Sequence, residues 1–202
     1  MRAKRRKQNA KRGNARRDEG DVLKGLAAGV VGGLVASWTM NQFQAFWSKL
    51  AEGEERPHGA QSLQQGTPQH GVGRELEARG SDDTDDNAAV RTANIVSEEV
   101  FDHRLTKSEK ELGGAMAHYA MGVSTGAIYG AMAELVPETT AVFGLPFGAA
   151  VWAVVDEGIV PALGLSKSPA EYPLSIHAYS FTSHLVYGLT TEAVRRAVRR
   201  AL

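Results

Sequence analysis

The 202-residue chain contains no cysteine, which excludes disulfide frameworks, zinc–thiolate sites and thiol nucleophiles. It also lacks the HExxH pair of a zinc protease, a phosphate-binding loop and a dinucleotide fingerprint. Aromatic residues are sparse, at 7%, and the formal net charge is zero. No overall charge bias therefore selects nucleic acid or an acidic substrate.

What the chain does have is charge placed very unevenly. Residues 1–24 carry ten basic side chains against three acidic ones, and residues 49–111 carry fourteen acidic against eight basic. Between and after these lie long stretches almost without Asp, Glu, Lys or Arg, until Arg195, Arg196, Arg199 and Arg200. A mildly polar average thus conceals apolar segments of bilayer length.

Read in order, residues 1–24 form a basic tail without apolar periodicity, expected to be disordered. Such charge keeps an end in the cytoplasm and meets anionic lipid headgroups. Nucleic acid is disfavoured as its partner, because no aromatic or folded module accompanies the charge. Residues 25–48 contain no charge, and at 1.5 Å per residue they span the roughly 30 Å of a hydrocarbon core. Gly25, Gly29 and Gly33, followed by Ser37, fall on one face as a small-residue ridge for close helix packing. Residues 49–111 form an acidic connector outside the cytoplasm, with His58 and His70 in its polar part. Within it, residues 87–105 carry an amphipathic pattern at Ala89, Ala93, Val96 and Val100, with Asp85 or Asp86 placed to cap it. Thr106 and Glu109 form a capping box that starts the next helix, and residues 112–136 make the second span before Pro137 ends it. Gly122, Gly126 and Gly130 form a second ridge there, with His118 one turn ahead. Residues 141–165 are the third span, residues 174–194 the fourth, and residues 195–202 a basic end. The fold class is therefore all-α: an integral membrane bundle of four transmembrane helices, with both ends in the cytoplasm. A soluble helical protein is the competing reading, and it leaves the charge segregation to chance.

The chemistry concentrates in the third and fourth spans. Asp156 and Glu157 lie in the middle of an apolar run, where a carboxylate costs roughly 2.5–3.5 kcal/mol on insertion scales. Counting residues from the cytoplasmic boundary puts His118, Asp156 and Glu157 at one depth, with His177 just above and His184 below. A carboxylate facing imidazoles has three meanings. It fixes packing, it relays protons, or it holds a divalent metal through nitrogen and oxygen ligands. Adjacent residues point about 100° apart on a helix, so Asp156 and Glu157 face different partners, and Asp156 is the one expected inside. Glu192 precedes Arg195 and Arg196 by three and four residues, which points to local ion pairing. No cofactor can be named. Four spans enclose only a narrow pore, which leaves room for a homo-oligomer.

Three segments, His118 to Pro137, Phe147 to Pro169 and Ser183 to Arg196, resemble the YagU-like bacterial inner-membrane proteins of unknown function. The resemblance covers about Leu105 to Arg200. It implies a small helical protein of the bacterial inner membrane, associated with acid tolerance, and it assigns no catalytic residue. The functional expectation is a membrane protein that handles protons or cations through its carboxylate/histidine layer. The alternatives are a structural or partner-binding protein whose buried polar groups only fix packing, and a membrane metal enzyme.

Overall fold

The computed structural model describes residues 2–50 and 87–202, and five helices with no strand account for them. Helix α1 runs over Arg2–Leu50. The basic segment expected to be disordered is its first half, as suits a stretch rich in Ala, Arg and Lys, all good helix formers. Helix α2 spans Ala88–Phe101. Its N-cap is Asn87, whose Oδ1 accepts from the Val90 N–H at 3.0 Å, and not Asp85 or Asp86. Helix α3 spans Lys107–Leu135 and starts at the predicted Thr106 cap, where the Glu109 carboxylate accepts from the Thr106 N–H at 2.7 Å. The first part of the acidic connector, with His58 and His70, lies outside the described residues.

The third apolar stretch is shorter as a helix than the sequence suggests. Ala141 is extended, and Val142 and Phe143 have φ of 50° and 54°. Regular helix begins only after Gly144, the N-cap, whose φ of 79° suits the residue without a Cβ. Helix α4 then runs as Leu145–Val151, continues as a π-helical stretch over Trp152–Ile159 and closes with Val160–Ala162. The Val160 N–H reaches back five residues to the Val155 carbonyl, next to Pro161, which has no N–H to offer. Helix α5 spans Leu174–Ala201, so the fourth apolar stretch and the basic end are one continuous helix.

Helix α1 is the centre of the assembly and packs antiparallel on both α3 and α5. The two predicted glycine ridges are each other's partners. Gly25 lies against Gly130, Gly29 against Gly126 and Gly33 against Gly122, with backbone meeting backbone. A Cβ on Gly126 would stand 2.6 Å from the Gly29 carbonyl oxygen and 2.7 Å from Gly33 Cα. Only glycine permits that approach. A second seam, not foreseen, joins α4 to α5. A Cβ on Gly188 would lie 2.7 Å from Gly148 N and 2.8 Å from its Cα.

Helix α2 lies across the far end and packs on the start of α3, with Val90 against Gly114 and Ala93 against Gly113. Its buried residues are Ala88, Arg91, Asn94 and Ser97. Arg91 Nη1 donates to the Leu165 carbonyl at 2.8 Å. Of the apolar positions read from the sequence, Val96 and Val100 are exposed rather than packed on the bundle, together with Phe101.

The burial pattern is inverted relative to a protein folded in water. Trp38, Ile128 and Val154 are 56%, 60% and 57% exposed, while Ser183, Thr191 and Glu192 are fully buried. Two segments, Gly20–Trp47 and Pro137–Ala162, are long and apolar enough to cross a bilayer.

Candidate functional site

Of the five titratable residues singled out from the sequence, His118, Asp156 and His184 meet around one cavity, and Glu157 pairs with His177 apart from it. Asp156 is buried on α4, where the π-helical stretch turns it toward α5. Its Oδ2 accepts from the Ser180 hydroxyl at 2.7 Å and lies 3.8 Å from His184 Nδ1. That same Nδ1 is 2.9 Å from the Ser180 carbonyl oxygen. A carbonyl can only accept, so Nδ1 carries a hydrogen. Glu157 points elsewhere, to His177, with Oε1 2.8 Å from Nδ1. His177 Nε2 also faces the Pro169 carbonyl at 3.0 Å, tying α5 to the loop that follows α4. The divergence of the two adjacent carboxylates is the one that helical rotation implies.

His118 approaches from α3, where it lies beside Ser37 of α1 and within electrostatic reach of Asp156 and His184. Its Nε2 is buried with no hydrogen-bond partner among the described residues. His118, Asp156 and His184 line a common cavity of about 520 Å³ between the helices, together with Ser37, Asn41 and Tyr187. Glu157 and His177 are not among its lining residues. Among the described residues no three His, Asp or Glu side chains stand close enough to share a metal ion.

Below the cavity the helices are locked together. The Tyr187 hydroxyl donates to the Gly122 carbonyl at 2.6 Å and accepts from Thr125 at 2.8 Å. Its ring neighbours Phe147, which stacks on Tyr129 with centroids 4.2 Å apart. Tyr129 in turn donates to Glu192 Oε2 at 2.9 Å. Glu192 also accepts from Arg195 Nε at 2.6 Å and Nη2 at 3.0 Å, and from Arg196 Nε. Arg195 and Arg199 reach Glu134 of α3 at 3.4 and 2.9 Å, and Arg199 reaches Asp21 of α1 at 2.8 Å. Three carboxylates thus meet three guanidinium groups, and the carboxylates hold Arg195 and Arg199 more firmly protonated than free arginine. The pairing of Glu192 with Arg195 and Arg196 follows from their spacing. Tyr129 and Glu134 as partners do not, because no local pattern links α3 to α5.

One enzyme-like spacing is present. Gly122–Val123–Ser124–Thr125–Gly126 matches GxSxG, but it lies in the middle of α3 with Ser124 exposed. A nucleophile elbow requires a strand-to-helix turn, so this pentad serves helix packing instead.

A family model described as "protein of unknown function (DUF1440)" matches residues 93–193, half of the chain. The chain belongs to this DUF1440 family. The matched region contains His118, Asp156, Glu157, His177, His184 and Glu192, and it leaves α1 outside. No curated protein and no solved structure matches the chain. The described residues are all-α, the family is uncharacterised, and the two apolar helices point to membrane association.

Proposed function

We propose that the protein is a four-span integral protein of the bacterial plasma membrane that handles protons or cations at the Asp156 cavity. The observation that carries this reading is the inversion of polarity. A cavity lined by a carboxylate and two imidazoles lies inside helices whose outer faces present Trp38, Ile128 and Val154. Large exposed apolar surface is stable in lipid rather than water. Asp156 at that depth is then costly unless a solute or proton uses it. The four crossings are the apolar part of α1, then α3, α4 and α5. Lys24 donates to the Leu202 carbonyl at 3.1 Å, so both basic segments share one end. The positive-inside bias puts that end in the cytoplasm, against anionic headgroups. Both glycine ridges are occupied within one chain, so a homo-oligomer would form through other faces.

The test is proton or cation flux into proteoliposomes containing the full-length chain. Asp156→Asn and His184→Ala should each abolish flux while inserting normally. Flux indifferent to both substitutions refutes the proposal. The hydrogen bonds of Ser180 to Asp156 and His184 favour a second reading, in which these groups only fasten α4 to α5. That reading expects Asp156→Asn to lower thermal stability with no activity to lose.

A further inference from the structure

We propose that Glu157 and His177 form a proton-dependent latch, which holds the loop between α4 and α5 in place only while the pair keeps its shared proton. The latch lies apart from the Asp156 cavity, and the inference does not depend on transport.

Proton counting carries the argument. His177 stands in the first turn of α5 with an oxygen facing each ring nitrogen. The Pro169 carbonyl, 3.0 Å from Nε2, can only accept, so Nε2 carries a hydrogen. On the other side Nδ1 is 2.8 Å from Glu157 Oε1, a hydrogen-bond distance that requires one proton between the two atoms. That proton belongs either to an imidazolium beside a carboxylate or to a carboxylic acid beside a neutral ring. In both forms the pair holds two hydrogens and both ties exist. With one hydrogen gone, a ring lone pair must face either the carboxylate or the Pro169 carbonyl, and one tie is lost.

The ring is where three segments meet. The Pro169 carbonyl also accepts from the Tyr172 N–H at 3.2 Å, within the short turn Pro169–Glu171. His177 therefore ties that turn to α5, and Glu157 ties the same ring to α4. The two side chains are 20% and 18% exposed, so the shared proton can exchange with solvent.

Neighbouring groups would not give the same response. Among the described residues no lysine or arginine, Lys49 and Lys167 included, stands within ion-pair distance of Glu157. Asp156, adjacent on α4, turns to Ser180 and His184. Arg91 of α2 donates to the Leu165 carbonyl, at the other end of the loop. Glu171 accepts from the Ser168 N–H at 3.2 Å, and losing its charge as the pH falls would loosen the loop in the opposite direction. Burial pushes the Tyr172 hydroxyl above its ordinary 10.0. The latch has one sign: the loop is held at lower pH and freed as the pH rises.

The chain has no cysteine, so Ala170→Cys, at an exposed position beside Pro169, takes a single nitroxide label. The experiment reads the label's mobility by electron paramagnetic resonance in the full-length protein in detergent. The pH runs from about 5 to about 9, which brackets the ordinary range of imidazole. The immobile component should dominate at the acid end and be lost reversibly toward the alkaline end. Glu157→Gln should keep the label immobile throughout, because its NH₂ donates to Nδ1 of a neutral ring while Nε2–H still holds Pro169. His177→Gln, which cannot titrate, should also remove the pH step, and it decides the matter if Glu157→Gln fails to fold. A label whose mobility is the same across the range overturns the inference. So does loosening toward acid, and so does a pH step that persists in Glu157→Gln or His177→Gln.

Discussion

Replacing Glu192 by glutamine should be the most damaging conservative change in the arginine-rich end of the bundle. The side chain is fully buried and its two oxygens take four donors, from Tyr129, Arg195 twice and Arg196. Glutamine keeps the volume, removes the charge and turns one acceptor into an NH₂ donor that must face another donor. The network of Asp21, Glu134 and Glu192 against Arg195, Arg196 and Arg199 goes from neutral to one excess positive charge. Breaking a buried ion pair by removing one partner costs about 3–5 kcal/mol. Arg195 is 9% exposed and belongs in that class, whereas Arg196 is 36% exposed and adds about 0–1 kcal/mol at most. A loss of about 3 kcal/mol is expected. At about 2–4 °C per kcal/mol for a chain of this size, the melting point falls by about 6–12 °C.

The assay is thermal unfolding of the full-length protein in one detergent, with Glu134→Gln as comparator. Glu134 bonds Arg199, itself 24% exposed, at 2.9 Å and reaches Arg195 only at 3.4 Å, where Glu192 still supplies the countercharge, so its loss should cost about 1 kcal/mol. The double variant Glu192→Gln/Arg195→Gln should recover part of the loss, because no uncompensated buried guanidinium remains. If Glu192→Gln melts within a degree of the parent, or no lower than Glu134→Gln, the burial argument is wrong.

Three further outcomes follow from local geometry. Hydrogen bonds from the Thr106 backbone and hydroxyl, with His103 nearby, hold the Glu109 carboxyl at about 2, below its ordinary 4.5. Its cap contribution is therefore complete above about pH 4.5 and lost as the pH falls toward 2, so melting curves of the parent and Glu109→Gln should converge across that interval; a constant gap would refute the cap. Gly126→Leu must push α1 off α3, because even its Cβ would stand 2.6 Å from the Gly29 carbonyl. A loss beyond the roughly 1–3 kcal/mol of ordinary overpacking is expected, read as loss of the thermal transition with helical circular dichroism retained. Asn87→Ala removes the α2 cap and should cost about 1 kcal/mol, seen as faster amide exchange at Val90.

What the sequence made legible was whatever depends on neighbours within a turn or two. The charge-free runs, the Thr106–Glu109 cap, the stop at Pro137 and the pairing of Glu192 with Arg195 and Arg196 are all of this kind. The divergence of Asp156 from Glu157 was legible too, because rotation about a helix axis is local. Contacts between helices were not. The two glycine ridges were each visible, but that they face one another depends on the register of α1 against α3. The seam at Gly148 and Gly188 was missed although GLPFG at 144–148 carries the same spacing, because a single glycine answers it on α5. The break at Ala141–Phe143 had no warning either: valine and phenylalanine rarely take positive φ, and only tertiary packing makes them do so. At the start of α2, three residues in a row can cap a helix, and spacing alone could not choose Asn87.

The polar side chains of the bundle sort into levels whose chemistry differs in kind. At the arginine-rich end every named charge has a countercharge, and Tyr129, Phe147 and Tyr187 close the space above it. That end is chemically satisfied, and nothing there calls for a solute. One level up, the imidazoles of His118 and His184 stand near Asp156, and among the described residues no arginine or lysine is on the cavity wall. A bundle that needed polar groups only to fix packing could have repeated the satisfied arrangement at both levels. It would have no reason to keep a buried imidazole nitrogen without a partner beside a cavity, since that arrangement costs stability. The contrast between the two levels, more than either alone, is what supports the proposal that the Asp156 cavity is the functional site, with the Glu192 network as its structural floor.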